Sequence, residues 1–357
     1  VSAAVADFVT LEALTQAAPE WADLCARACE ANPFAEPAFV LPLIAYEKPR
    51  VRFVLVREDG QLIGFAALRA PFAGLARVWM SAYAALPTCA FDAERAAEAL
   101  GALLALLGER TRLAGVVFAF VERDGPLAAA LRATAPVVVA RETRRAALKL
   151  AGVAAFEARL NPKRAAKWAR QMRKLASQGR FEATSGVEGI DAFFEVEPRG
   201  WKGARGTALS DDPARLAFAR AALEEFARAG RLDAMTLRLD GKPLAAGLVL
   251  RAGGRAFYWK TAYDEVYEEA SPGVQLTLLH SRALAGTAGL LVVDSCAGED
   301  HPMIGRVWGD VLAFEDLAVG LRGARALAIW LAMERWRAGA RAAVKQAINR
   351  GLGRKSL

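Results

Sequence analysis

The residues best suited to chemistry fall in four short stretches. Asp294-Ser295-Cys296-Ala297-Gly298-Glu299-Asp300-His301-Pro302-Met303-Ile304 follows an apolar run, Leu290 to Asp294, that reads as a buried strand. A carboxylate at the end of such a strand with an imidazole nearby is a general acid/base set, with Asp294 or His301 as the proton acceptor. Trp259-Lys260 sits where another strand should be most buried, with Tyr263 at its end. A lysine is rarely fully buried without a partner, so Lys260 should face a cleft or meet an acid. Glu195-Val196-Glu197-Pro198-Arg199-Gly200-Trp201-Lys202-Gly203, followed by Gly206-Thr207-Ala208-Leu209, places Trp201, Lys202 and Thr207 among glycines that permit close backbone approach to a ligand. Ser271-Pro272-Gly273-Val274-Gln275 opens a helix, and the free N–H groups of a helix start attract anions. Three of the stretches also have a plainer reading: a surface loop with Trp201 covering the core, an edge strand with an outward lysine, an ordinary helix start. His280, on the helix after Ser271, reads as structural.

The elements that must position these residues follow from periodicity and turn residues. Leu11 to Cys29 reads as a helix, and Asn32-Pro33-Phe34-Ala35-Glu36-Pro37 as an extended or turn segment. Val51 to Val56 and Leu62 to Leu68 form a hairpin across Asp59-Gly60, with a possible strand at Val78 to Tyr83. A helix at Ala93 to Leu107, a buried strand at Val116 to Val121 and a short helix at Pro126 to Arg132 complete the first half. The second half repeats that order. A helix from Pro213 to Ala229 precedes a hairpin (Asp233 to Leu239, Leu244 to Leu250), a strand from Arg255 to Tyr263, the Ser271 helix, and strands at Leu290 to Asp294 and Val311 to Val319. This series is α+β with a mixed sheet, and its recurrence suggests an internal duplication. The expected boundaries are residues 1–150, 151–320 and a basic C-terminal helix over 321–357.

Hydrophobic residues make up 54% of the 357, enough for a core in each half, and the charged fraction of 24% excludes wholesale disorder. No apolar run approaches the ~20 residues of a membrane-spanning helix. No basic region followed by an apolar stretch is seen at the start, and a cytoplasmic protein is expected. The net charge of +8 is unevenly spread: +10 over Arg141 to Arg180, +8 over the tail from Leu321, and −10 elsewhere. Within the first basic segment Asn161-Pro162 starts a helix on which Lys163, Lys167, Arg170 and Lys174 share one face. That face either meets solvent or binds phosphate, nucleotide or RNA. The tail helix either packs back on the protein or contacts an anionic membrane surface peripherally. Cys25, Cys29, Cys89 and Cys296 read as reduced packing residues, and with only two distant histidines no metal site is expected.

Taken together, Asn32-Pro33-Phe34 with Glu36-Pro37, Arg144-Arg145 and the basic helix, Gly200-Trp201-Lys202-Gly203, Trp259-Lys260 with Tyr263-Asp264, Ser271-Pro272-Gly273, and Asp294-Ser295 with His301-Pro302-Met303 resemble the CelD/BcsL-type acetyltransferases of the GNAT superfamily over residues 30–320. The resemblance implies two tandem GNAT-like domains, each a mixed, mostly antiparallel sheet flanked by helices. It implies transfer of an acyl group, as in acetyl-CoA or another acyl-CoA, to an amine on a small molecule or glycan precursor, without a metal. Ser271, Gly273, Val274 and Gln275 would hold the donor's pyrophosphate, standing where the family's usual Q/R-x-x-G-x-G/A loop would be. Lys260, Lys202, Trp201 and Thr207 would bind the acceptor, Asp294 or His301 would take its proton, and Tyr263 would protonate the leaving thiolate. The Fem-type peptidyltransferases are similar in fold, which makes aminoacyl-tRNA the alternative donor. A non-catalytic binding protein in polysaccharide assembly is the reading outside enzymology.

Overall fold

The computed structural model describes residues 3–72, 74–298, 301, 303–323, 327–329 and 332. The strands are β1 (Val5–Val9), β2 (Val51–Glu58), β3 (Gln61–Phe72), β4 (Leu75–Val78), β5 (Cys89–Phe91), β6 (Gly115–Glu122), β7 (Val137–Lys149), β8 (Phe181–Ser185), β9 (Leu232–Leu239), β10 (Lys242–Ala252), β11 (Arg255–Tyr263), β12 (Val292–Gly298) and β13 (Asp310–Gly320). The helices are α1 (Leu11–Gln16), α2 (Ala18–Ala26), α3 (Pro37–Glu47), α4 (Ala96–Arg110), α5 (Pro126–Thr134), α6 (Val153–Ala158), α7 (Pro162–Ala176), α8 (Gly189–Val196), α9 (Trp201–Ala204), α10 (Pro213–Arg228) and α11 (Pro272–Ala285). All described strands join one sheet in the order β1-β2-β3-β4-β6-β13-β7-β12-β11-β10-β9-β8, with β5 beside β3. The architecture is thus α+β, a large and mostly antiparallel sheet flanked by helices.

The duplication is visible in the ladders. An antiparallel series, β1-β2-β3-β4, leads to a parallel pair, β4 with β6, and β8-β9-β10-β11 leads in the same way to β11 with β12. Each parallel ladder is three residues long, from Leu75↔Gly115 to Arg77↔Val117 and from Arg255↔Val292 to Phe257↔Asp294. Just beyond each ladder the second strand carries a non-glycine residue in the left-handed region, Phe120 (φ 51°) and Cys296 (φ 55°). The last strand of each half crosses over. β7 lies between β13 and β12, and β13 lies between β6 and β7. The boundaries at 150 and 320 fall at strand ends, but neither segment closes a sheet by itself.

The sequence expectations differ from this in identifiable places. The Leu11 to Cys29 helix is two helices that meet at Ala17, just before Pro19. The prolines at 33 and 37 start helical turns, because a proline tolerates the first helical position, and Pro37 opens α3. The strand expected at Val78 to Tyr83 ends at Val78; residues 79–88 form a loop instead. β7 was hidden by its charges: Arg141 pairs with Asp316 on β13, Arg145 with Asp294 on β12, and Glu142 with Arg123 just after β6, so partners distant in the chain neutralise it. The expected helix over 321–357 lies almost wholly outside the described residues.

The principal core runs between the halves, joining Phe34, Phe39 and Trp79 to Phe193, Phe218, Phe257 and Trp259. Phe39 meets Phe218 and Trp259 edge-on at 5.5 and 5.6 Å between ring centroids. Burying side chains of this size stabilises by about 1.5–3 kcal/mol each, so the halves share one continuous core.

Candidate functional site

The site forms where the β11–β12 ladder ends. On β11 the pairing with β10 slips from Val249↔Tyr258 to Leu248↔Lys260, so Trp259 is the extra residue of a β-bulge. A bulge of this kind interrupts the ladder and re-aims neighbouring side chains. Trp259 turns toward the N-terminal half, where its indole N–H donates to the Tyr83 carbonyl at 2.7 Å. Lys260 then lies with its Nζ 5.6 Å from the Tyr83 ring centroid and 5.5 Å from that of Trp259. It keeps part of its surface open to solvent, yet burial pulls its ammonium down to about 8, followed by repulsion from Lys202. Lys260 is thus partly open yet strongly desolvated by the protein around it, and the candidate site is built about it. Its Nζ has no hydrogen-bond or ion-pair partner among the described residues. The sequence expectation is a cleft or an acid; no acid pairs with Lys260 among the described residues, which leaves the cleft as the candidate.

Its walls come from both halves. Tyr83 in the 79–88 loop lies 3.4 Å from Tyr46, hydroxyl to hydroxyl, and packs edge-on against Phe218. On the other side Lys202 donates to Glu197 at 2.8 Å, and the second oxygen of Glu197 accepts from the Leu209 N–H at 2.7 Å. Thr207 donates both its N–H (2.8 Å) and its hydroxyl (3.2 Å) to the Lys202 carbonyl. Lys202 and Thr207 therefore shape the loop that borders Lys260 and are spent on it, not held out as free acceptor ligands. The glycines there serve backbone packing: a Cβ on Gly203 would lie 1.9 Å from the Pro198 carbonyl oxygen. Trp201 stands at the first position of α9.

Asp294 is placed differently from expectation. It is fully buried, with one oxygen accepting from Arg145 at 3.1 Å and the other from the Cys296 N–H at 2.8 Å. Arg145 is itself buried, donates to the Ala85 carbonyl, and lies between the Phe120 and Phe314 rings, 4.5 Å from each centroid. A carboxylate tied at both oxygens has no open face toward an acceptor. Asp294 instead fixes the left-handed turn at Cys296 on the edge of the cleft. His301 is likewise occupied: its Nδ1 accepts from the Met303 and Ile304 N–H groups at 3.4 Å, which leaves Nε2 as the protonated nitrogen. Burial lowers its pKa further. It caps the turn at Ile304–Arg306 and offers a donor, not a base.

The start of α11 is more enclosed than an open anion cradle. Gln275 is buried and donates to the Trp168 carbonyl of α7 at 2.8 Å, and Val274 packs into an apolar cluster with Met303. Gly273 is needed for close packing, since a Cβ there would lie 2.8 Å from the Met303 sulfur and 2.9 Å from the Tyr263 ring. Ser271 accepts from the Gln171 amide at 3.2 Å. Of the four residues expected to hold a pyrophosphate, Gln275, Gly273 and Val274 pack against protein, and Ser271 alone stays partly open with a polar side chain. Tyr263 is close to this helix start; burial and the nearby Glu265 and Glu268 raise its pKa, so its phenol stays protonated. Tyr83 lies on a segment with no motif and was missed; Glu197 and Arg145 lie in stretches already singled out, but their roles as partners of Lys202 and Asp294 were not read from the sequence. Among the described residues no cluster suited to a metal ion occurs.

A family profile described as acetyltransferase (GNAT) domain matches residues 162–301. That span holds the bulge at Trp259, the parallel ladder and Lys260. Residues 162–301 thus match a GNAT acetyltransferase domain. The domain supports the class of GNAT-type N-acyltransferases and leaves the finer CelD/BcsL assignment open. No curated protein sequence matches the chain. Among solved structures, a conserved protein of unknown function from Bacteroides thetaiotaomicron is similar with a TM-score of 0.56 at 13% identity, covering 88% of this chain and 99% of that one. FemX is similar at 0.54 and 14% identity, covering 87% and 96%. The C-terminal domain of a putative lysylphosphatidylglycerol synthetase from Agrobacterium fabrum is similar at 0.52 and 12%, covering 89% and 95%. At these identities the likeness concerns the fold, and it extends over both halves of the chain.

Proposed function

We propose that the protein is an N-acyltransferase that moves an acyl group from acyl-CoA to an amine in the cleft between the 79–88 loop and β11–β12. The observation that carries this is Lys260, unpaired among the described residues where the parallel ladder opens. With a pKa of about 8 it exists partly as the free amine near neutrality. In that form it takes one proton from the acceptor ammonium. The amine attacks the acyl carbonyl, the C–N bond forms, and a backbone N–H near Lys260 meets the oxyanion. As the C–S bond breaks, Tyr263 protonates the thiolate and recovers a proton from the new amide nitrogen. The net reaction releases one proton, passed from Lys260 to solvent. A glycan precursor remains the proposed acceptor class on the strength of the resemblance alone.

A second donor, aminoacyl-tRNA, is favoured by one feature. The start of α11 is occupied by Tyr263, Met303 and Gln275, whereas Lys163, Lys167 and Arg170 on α7 are exposed without acidic partners among the described residues. The similar fold of FemX is consistent with that donor. Thermal shift with acetyl-CoA, CoA and bulk aminoacyl-tRNA separates the two. A ligand at about 100 times its Kd adds ~2.7 kcal/mol to native stability. A rise with CoA species alone supports the first donor, and a salt-sensitive rise with tRNA alone supports the second. No rise with any of them removes the transferase reading.

A further inference from the structure

A cavity of about 640 Å³ opens in the N-terminal half, lined by none of the residues assigned to the cleft. Its apolar lining includes Phe8, Val51, Leu68, Ala76, Leu107 and Leu113. Its charged lining is entirely arginine: Arg50, Arg52, Arg69, Arg110 and Arg112, all exposed. None of the five has an acidic partner among the described residues, and no carboxylate lines the cavity. Arg52 lies over the Phe8 ring, its guanidinium carbon 4.9 Å from the centroid, which keeps the charge at the apolar edge. On the sheet Arg69 stands directly opposite Arg77, a like-charge pairing that costs stability. The cavity is at the C-terminal end of α4 and the start of β4. In the repeated half, Lys260 lies at the other end of the corresponding unit, toward the end of β11 and the start of α11. The cavity is therefore not the N-terminal counterpart of the acyl-transfer cleft.

An apolar well rimmed by guanidinium groups suits one ligand chemistry: a phosphate head, gripped by planar forks that match its oxygens, joined to a hydrocarbon chain that fills the well. We propose that this cavity binds the headgroup region of an anionic phospholipid and so seats the protein on a membrane surface. No covalent step is involved. The inference stands apart from the donor and mechanism assigned to Lys260.

The test uses the full chain in vesicle sedimentation, with phosphatidylcholine alone and with phosphatidylglycerol added. Binding is expected only to the anionic vesicles. The double variant Arg52→Gln/Arg69→Gln should weaken it by about thirtyfold, as each surface cation contributes about fivefold. Lys163→Gln/Lys167→Gln on α7 should leave it within about twofold, the reduction expected of charges remote from the site. A calorimetric titration with decyl phosphate and with inorganic phosphate separates the sources. Decyl phosphate binding that the arginine variant loses, with no inorganic phosphate binding, supports an amphiphile site. Equal binding of both phosphates would show a simple anion site and overturn the proposal. So would anionic-vesicle binding that the Arg52/Arg69 variant retains in full, or none by the wild type. A circular dichroism melt checks that the variant is folded; both residues are exposed and make no ion pair among the described residues.

Discussion

Lys260 and Asp294 divide the work of the cleft, and their substitutions should fail differently. Lys260→Gln removes the titrating group and leaves the fold, so kcat should drop by about 10²–10³ with little change in melting temperature. The wild-type rate should climb with pH through about 8, as Lys260 loses its proton, and level off above. If the variant keeps that rising limb, another group is the base. Asp294→Asn retains the contact with Cys296 but strands the Arg145 guanidinium between two phenyl rings. Breaking one side of a buried pair costs about 3–5 kcal/mol, so the loss should appear first in stability. Adding Arg145→Met should recover part of it, a coupling that a chemical role for Asp294 alone would not produce.

Two helices carry consequences of their own. His280 on α11 is fully enclosed against Tyr258, its Nδ1 has no partner among the described residues, and burial pulls its imidazole down to about 4. A depressed folded pKa contributes stability above the unfolded value of about 6.5, and that stability is lost as pH falls toward 4. Urea midpoints should therefore decline across that window, and His280→Phe should flatten the decline. An unchanged slope would place the acid sensitivity elsewhere. Gln275 joins α11 to α7 through the Trp168 carbonyl. Gln275→Ala removes that tie between the two helices, at a cost of about 0.5–1.5 kcal/mol, and should raise hydrogen exchange along α7.

At the level of the whole molecule, strand exchange makes the halves interdependent. Residues 1–150 alone leave β7 without either neighbour, and residues 151–320 alone do the same to β13. Neither fragment should fold by itself, the two should recover structure when mixed, and the intact chain should show one calorimetric transition. Two sharp, independent fragment transitions would contradict this. The shared aromatic core argues the same way, since Phe39 loses Phe218 and Trp259 when the chain is cut.

Features set by local chemistry are legible in the amino-acid sequence alone. Hairpins at Asp59-Gly60 and Asp240-Gly241 follow from turn residues that tolerate a left-handed backbone, and the structure has positive φ at all four positions. Alternating apolar runs mark the strands around them, their recurrence marks the duplication, and Lys260 stands out as a charge in an apolar strand. What sequence could not show depended on partners distant in the chain. The charges of Arg141 and Arg145 hide β7 unless Asp294 and Asp316 are known to neutralise them from neighbouring strands. Asp294 and His301 have the right chemistry for a base, but only tertiary contacts decide whether a lone pair is free, and both are already engaged. The exchange of β7 and β13 is likewise invisible in the sequence, because period and turn chemistry set what each strand is, while packing across the whole sheet sets beside which strand it lies.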